Sequence, residues 1–421
     1  MKQMFERMGT DVDRTILHCD CNSFYASVET LLDPTLADGP SAVCGDPESR
    51  HGIILAKNEK AKAFGVQTAE TIWQAKRKCP GLRLVAPHRS EYVKYSRKCN
   101  ELYLQYTDLV DPFGIDESFL DVTGSMHLFG TGEQIADELR RRMREEVGLT
   151  ISVGVSFNRA FAKLGSDYKK PDGTTVFSRG NYRDKVWPLP VNTLLYVGKR
   201  AADRLARVGV HTIGDLAACD PSFVHHIFGK MGDTLLRYAR GEDDEPVRSF
   251  YAEREVKSVG NSMTFAHNLL GEEECRLGLT ALCDNVGRRL RKRGLVCQTV
   301  QLGIRDPEFR NRSRQTTLER PTNSTRALIE TSMALLRTHW QMDKPVRLLS
   351  VTAANLLPEN QSCEQLSLFE SADAVKRRDR QHKLDQTVDA LRQRFGDQSV
   401  VFAHSVKKKD ENKENTQNKP G

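Results

Sequence analysis

Three acidic residues stand where apolar runs break off. Asp20 ends the stretch TILHCD, and Asp116 and Glu117 split the run VDPFGIDESFLDVT at 110–123. Carboxylates brought together in this way suit Mg²⁺, which takes oxygen ligands and keeps coordination sites for substrate phosphates. A pair of such ions clamps the attacking and leaving oxygens of an in-line phosphoryl displacement. Lysines at 57, 60, 62 and 170 offer point charges for a triphosphate. If Asp20, Asp116 and Glu117 converge, the chemistry they fit is phosphoryl transfer with two Mg²⁺ ions. Each piece also has a plain alternative: a solvated Asp20 before an N-capped helix, an ordinary Asp-Glu surface turn, and lysines on a wet helix face.

The elements that must position these groups follow from periodicity. Residues 15–21 form a short buried strand whose alternation puts Ile16, His18 and Asp20 on one face. Asn22 and Ser23 are good N-cap types for a helix over 24–32. A helix N-terminus beside a carboxylate can meet a phosphate and the cation it carries. Adjacent residues on a strand point to opposite faces, so Asp116 and Glu117 converge only at a turn or bulge. Strands at 113–115 and 118–122 put a hairpin turn there. Helices over 90–109 and 133–147 and a strand over 149–156 complete a βαββαβ order with a large insertion after the first helix. That is the ferredoxin-like plan. Within the insertion, 51–66 reads as a strand running into a basic helix. A helix over 157–170 ends at KKPDG.

A second unit is expected over 178–245, where LYVGKRAADRLARVGV at 195–210 reads as a tight turn opening a basic helix. Helix-hairpin-helix geometry grips a phosphodiester backbone through turn amides, and a plain αα corner has the same pattern. GEDDEP at 241–246 reads as a polar linker. Beyond it a second βαββαβ order appears, with strands at 254–265, 295–305, 313–319 and 346–354 and helices at 272–294 and 324–341. A polar spacer follows, interrupted by QLSLF at 365–369, then a basic helix over 372–395 and a tail too polar to fold alone.

At 421 residues the chain has room for several cores. Its net charge of +7 is concentrated: 246–355 holds 18 Lys and Arg against 11 Asp and Glu, so the other 45 basic and 45 acidic residues cancel. A neutral body with one basic domain points to a polyanion, most often nucleic acid. With nucleic acid as the partner, the attacking hydroxyl is that of a primer, and the inference is nucleotidyl transfer on a template. Ten scattered cysteines, with only a CxC at Cys19 and Cys21, read as free thiols in a reducing compartment. No run of 18 apolar residues exists and residues 1–13 are too polar for a signal peptide, so a cytoplasmic protein with no membrane contact is expected.

Taken together, DCNSFYASVE at 20–29, AKAFGV at 61–66, YTDLVDPFGIDESFLDVT at 106–123, SVGVSFNRAFAKLGSDYKKPDG at 152–173 and VGKRAADRLARVGVHTIGDL at 197–216 resemble the bacterial Y-family DNA polymerases. The similarity is to their DNA polymerase IV (DinB-type) branch of lesion-bypass enzymes, and it spans residues 14–369. It implies an α+β multidomain fold: a frayed leader (1–13), a palm (14–23 and 89–177), small fingers (24–88), a helical thumb (178–245), a little finger (246–355) and a C-terminal arm (356–421). It further implies Asp20, Asp116 and Glu117 as catalytic metal ligands for two Mg²⁺ ions, with Cys21 adding a backbone carbonyl. Tyr25 falls on the position that excludes ribonucleotides. Lys62 and Lys170 fall on the triphosphate grip, a role that Asn58 is expected to share because Glu59 and Lys62 depart from the family pattern. DNA contacts are expected at Val197, Gly198, Lys199, Arg288, Arg289 and Arg291. Gln365, Leu366, Leu368 and Phe369 match the peptide that docks on the bacterial sliding clamp.

The implied activity is template-directed translesion synthesis of low processivity, from dNTPs onto primer-template DNA, by a monomer associated with the nucleoid. Several positions depart from the family pattern: Asn22 replaces a frequent second Asp, Gly114 a frequent Ser, Glu59 a frequent Tyr, Lys62 an Arg, and Tyr196 a small hairpin residue. Two rival readings are a non-catalytic DNA-binding accessory subunit with the same fold and a nucleotide cyclase with a palm-like core. The intact acid trio argues against the first. The thumb, basic domain and QLSLF are superfluous to the second.

Overall fold

The computed structural model describes residues 13–46, 52–361 and 372–401. The chain divides into two compact units, Met1–Glu253 and Arg254–Gly421. The first unit runs β1 (Ile16–Cys21), α1 (Phe24–Leu32), β2 (Ser41–Cys44), β3 (Ile54–Lys57), α2 (Glu59–Ala63), α3 (Ile72–Lys78), β4 (Arg83–Val85) and α4 (Arg89–Tyr103). It continues with β5 (Val110–Pro112), β6 (Glu117–Asp121), α5 (Gly132–Arg142), β7 (Ile151–Ser156), α6 (Arg159–Tyr168) and β8 (Thr174–Phe177).

These elements build a five-stranded sheet in the order β5-β6-β1-β7-β8, with β1 at its centre. All six residues of β1 are buried, because both of its faces are covered. Leu17, Cys19 and Cys21 join Phe24, Val28, Leu102, Ile135 and Leu139 in the main core. Each such side chain contributes roughly 1.5–3 kcal/mol of burial. Ile16 packs on the other face with Phe119, Ala162 and Val247. A separate small sheet, β3-β2-β4, forms the insertion with α2 and α3. Phe24 and Val28 lie in the main core, so α1 packs as part of the palm, although the expected boundary put it in the fingers.

After the palm and a single-turn helix at Tyr182–Lys185 come four longer helices, α7 (Lys199–Ala206), α8 (Ile213–Ala218), α9 (Pro221–Phe228) and α10 (Lys230–Arg240). Their core includes Val197, Leu205, Ile213, Leu216, Val224 and Leu235. The stretch read as a polar linker is instead a strap on the palm. Asp243 is buried and accepts from the first amides of α6, those of Arg159 and Ala160, at 3.1 and 3.2 Å. Asn158 reaches the Gly241 carbonyl, and Val247 enters the core. Composition alone hid this, because a run of acids reads as solvated until a helix N-terminus needs one.

The second unit has the expected order: β9 (Ser258–Leu269), α11 (Gly271–Arg291), β10 (Leu295–Arg305), β11 (Asn311–Thr322), α12 (Thr325–His339) and β12 (Val346–Pro358). Its antiparallel sheet runs β11-β10-β12-β9. Leu279, Leu282, Val286, Leu328 and Leu336 cluster with Val300, Leu302, Leu349 and Val351. The helices therefore cover one face of the sheet. A last helix, α13 (Ala372–Phe395), lies on α11. Among the described residues no helix is long and apolar enough to cross a membrane, and the cysteines are free thiols.

Candidate active site

β1 and β6 pair antiparallel with Asp20 opposite Glu117. Partners facing each other in a ladder project their side chains to the same side, so register alone brings these two carboxylates together. The hairpin before β6 is tight: the amides of Phe113 and Gly114 both donate to the Glu117 carbonyl, at 3.0 and 3.1 Å. Asp116 ends that turn and Glu117 opens the strand. The expected hairpin is present but shifted: residues 113–115, expected as strand, form the turn with Asp116, and the first strand is Val110–Pro112. The Cys21 amide donates to the Asp116 carbonyl at 2.9 Å, which ties the turn to the end of β1. A Cβ at Gly114 would come within 3.0 Å of Glu117 Cγ and 3.3 Å of Asp116 Oδ1, so the departure at Gly114 leaves room beside both acids.

Asp20, Cys21, Tyr25, Lys62, Asp116 and Lys170 line one cleft of about 400 Å³, with Lys57 and Glu59 across from them. Glu117 lies beside this cleft, opposite Asp20 in the ladder. Its Oε2 meets His18 Nε2 at 3.4 Å and Lys163 Nζ at 2.7 Å. Burial by itself would raise the Glu117 carboxyl, but those two partners outweigh it and hold the group at about 2. Asp116 has the opposite balance: burial, then the charges of Asp20 and Glu117, push it up to about 6. Asp20 is bracketed by two lysines, Lys163 Nζ on Oδ2 at 3.0 Å and Lys170 Nζ on Oδ1 at 2.9 Å. Burial drives the His18 imidazole below its ordinary value, and its Nδ1 lies 2.8 Å from the Ser166 hydroxyl.

Lys163 and His18 are what the sequence reading missed. His18 shares a face with Asp20 by simple alternation. Lys163 is a charge on a helix whose neighbours Ala160, Phe161, Ala162, Leu164, Gly165 and Ser166 are all buried, and that signal was available. What lets Lys163 reach β1 is a close helix–strand crossing. A Cβ on Gly154 of β7 would lie 1.9 Å from the Ala162 carbonyl oxygen, and one on Gly165 2.9 Å from Gly154 Cα.

The other expected residues fall as follows. Tyr25 is half-buried on the first turn of α1 and stacks on Tyr92 with ring centroids 4.2 Å apart. Tyr92 in turn donates to buried Glu29, which also accepts from the His88 amide. Lys62 is exposed and pairs with Glu59 at 3.4 Å. Asn58 does not project into the cleft. Its Oδ1 accepts from the Ala61 and Ser41 amides and its Nδ2 donates to the Gly39 and Leu36 carbonyls. Those four bonds use the whole amide, so Asn58 caps α2, the helix that carries Lys62, and braces the turn before β2. Asn22 is buried between Thr150 and Ser152, hydrogen-bonded to both hydroxyls.

In the thumb, exposed Gly198 and Lys199 open α7 while Val197 is buried. Tyr196 takes a left-handed φ of 68° and stacks on Tyr238 at 6.2 Å. In the second unit the basic cluster of α11 has acidic company. Arg291 is almost wholly buried and pairs with Asp389 of α13 at 2.6 Å, Arg288 pairs with Asp397 at 2.6 Å, and Arg289 donates to the Gly260 carbonyl. Gln365 to Phe369 lie outside the described residues.

The donor set fits a hard divalent cation. Asp20 and Glu117 offer carboxylate oxygens within 4.8 Å of each other and of His18, Asp116 lines the same cleft, and an ammonium already bridges two of the acids. Oxygen donors beside phosphate-sized space and lysines suit Mg²⁺ better than a thiolate-seeking metal. A palm sheet carrying such acids beside a helical unit defines the palm-type nucleotidyltransferases. Residues 19–167 match the impB/mucB/samB family, and residues 256–368 match its C-terminal domain. The DNA polymerase IV of Acetivibrio thermocellus is 46% identical over 92% of this chain and 96% of its own length. DNA polymerase IV 1 of Bacillus subtilis is 35% identical over 94% of each. Among solved structures, a Y-family DNA polymerase chimera of Dbh and Dpo4 superposes with a TM-score of 0.73 at 22% identity, covering 82% of this chain and 99% of that one. The chain belongs to the bacterial Y-family DNA polymerases of the DinB type, DNA-directed enzymes of the translesion class.

Proposed function

We propose that this protein extends a primer 3′-hydroxyl on template DNA with dNTPs, using Asp20, Asp116 and Glu117 to hold two Mg²⁺ ions, with the Cys21 carbonyl as a further ligand. The observation that carries this reading is the Asp20–Glu117 register pair, with Asp116 at the adjoining turn. Bound Mg²⁺ supplies charge neutralisation at the reacting phosphate and a more acidic primer hydroxyl. The chain's own groups do the rest. Lys62 and Lys170 bind the triphosphate as point charges, and Asn58 acts through the helix it caps. The Tyr25 ring, backed by Tyr92, lies beneath the incoming sugar and leaves no room for a 2′-hydroxyl. Gly198 and Lys199, with Val197 buried behind them, meet the DNA backbone at the start of α7.

Arg288, Arg289 and Arg291 belong to the basic second unit that holds duplex DNA, with Arg291 contributing through its ion pair. Gln365, Leu366, Leu368 and Phe369 dock on a bacterial sliding clamp. The working form is a monomer on DNA, in the cytoplasm and at the nucleoid. Primer extension tests the assignment. Asp116→Ala or Glu117→Ala should abolish extension while primed DNA still binds. Retention of more than about a tenth of the rate, a deficit of only ~1.4 kcal/mol, would overturn it. Asn22→Ala should keep activity and cost about 1–3 kcal/mol of stability through the hydroxyls it leaves unpaired.

A further inference from the structure

Among the described residues, Lys163 is the one side chain that pairs with two of the three carboxylates at once. Its Nζ lies 3.0 Å from Asp20 Oδ2 and 2.7 Å from Glu117 Oε2, with Asp167 Oδ2 at 3.4 Å. The side chain is only 17% exposed. Three carboxylates hold the ammonium in place, and Gly154 and Gly165 let its helix come into close backbone contact with β7. Lys170, by contrast, touches Asp20 and Asp167, is more exposed, and makes no ion pair with Glu117. Two carboxylates held this close repel one another, and a fixed cation between them removes that repulsion.

We infer that Lys163 is a built-in counter-ion, a positioning residue that holds Asp20 and Glu117 in register before metal binds and competes with the incoming divalent ion for the same oxygens. The inference rests on the reading of Asp20, Asp116 and Glu117 as the metal site. It assigns Lys163 a role distinct from that of the triphosphate lysines: it sets how tightly the free enzyme holds its metal. A site whose acids are already neutralised by an ammonium binds divalent ions weakly until substrate arrives with its own. Such a site stays ordered while nearly empty.

The test is a Mn²⁺ titration of the full-length protein without DNA or nucleotide, followed by the EPR signal of free Mn²⁺. Lys163→Met removes the competing charge and keeps the apolar stem. It should lower the apparent Kd for Mn²⁺ by about tenfold or more, as expected for loss of a unit charge a few ångströms from the ion. Lys163→Arg keeps the charge and should stay within about threefold of wild type, roughly 0.7 kcal/mol. The metal-free Met variant should also melt lower than wild type, with the gap closing as Mn²⁺ is added. Lys163→Gln serves in its place if the Met variant does not fold. An unchanged or weaker Mn²⁺ affinity in both neutral variants overturns the counter-ion role. Asp116→Ala separates this failure from failure of the metal site itself, since Mn²⁺ binding indifferent to that change means the titration reads some other place.

Discussion

At the scale of single residues, the site is a balance of burial against neighbouring charge. Asp116 and Glu117 are adjacent, yet their carboxyl groups are driven in opposite directions. Glu117 has His18 and Lys163 as partners and stays ionised down to about 2. Asp116 has two acids beside it and rises to about 6 from an ordinary 3.8. A raised carboxyl costs stability once it must ionise: the cost is absent below pH 3.8, grows between there and pH 6, and is full above. Asp116→Asn should therefore stabilise the chelated, metal-free protein at pH 7.5 by up to about 3 kcal/mol. The gain should vanish near pH 4 and on addition of Mg²⁺, and urea melts at the two pH values check it. The Tyr25 ring, proposed to lie beneath the sugar, gives a second outcome. On that proposal Tyr25→Ala should admit ribonucleotides at least about tenfold more readily relative to dNTPs, because the ring would no longer block the 2′-hydroxyl. Single-nucleotide kinetics measure the ratio, and unchanged discrimination with intact dNTP rates would make Tyr25 merely a core aromatic.

At the scale of elements, the decisive contact is α6 against β7 and β1. The helix crosses where two glycines face each other, and its Lys163 reaches the acids only because of that approach. Gly154→Ala should push α6 outward, since its methyl would sit 1.9 Å from the Ala162 carbonyl oxygen. The expected cost is roughly 3 kcal/mol or more, at the upper end of overpacking effects. Denaturant melts read the stability, and primer extension should fall with it. The strap at Asp243 and Val247 supports the same helix from its N-terminal end, where an acid meets free amides. In the second unit, α13 is tied to α11 and α12 mainly by charge: Asp389 to Arg291, Arg392 to Asp284, and Asp385 to the first amide of α12.

At the scale of the whole molecule, the chain forms two compact units, with chemistry proposed for the first and the grip on DNA for the second. The first carries the acids, the cleft and the helical hairpin, and the second carries the surplus positive charge. Recruitment is a separate function, proposed for the five residues that follow the second unit's last strand. Changing Leu368 and Phe369 together to Ala should leave extension on short primers unchanged and abolish stimulation by a loaded bacterial clamp. Docking by so short a peptide is worth about −8 kcal/mol, a micromolar interaction, so loss of two apolar anchors is enough to end it. Surviving stimulation, or collapse of short-primer activity, would show that the segment serves the fold.

The sequence alone determined a good deal of this protein, and for a definite reason. Period-two alternation in β1, the acids that end its apolar run, and the repeated βαββαβ order are local properties, written over a few residues and unaffected by what packs on them. They were enough to single out Asp20, Asp116 and Glu117 as candidates and to anticipate the βαββαβ order of the second unit. Only the tertiary structure decided the rest, because contacts between distant segments leave no local trace. Register put Glu117 opposite Asp20, across 97 residues of chain. A glycine crossing brought Lys163 to both acids from α6. The four hydrogen bonds of Asn58 turned an expected phosphate ligand into a brace, and the amides opening α6 turned an apparent linker into a buried strap. Even the cluster at Arg288, Arg289 and Arg291, a free basic patch by composition, is partly answered by Asp389 of α13 and by Asp397 just beyond it, about a hundred residues on. A charge is read from sequence as solvated until the fold supplies its partner.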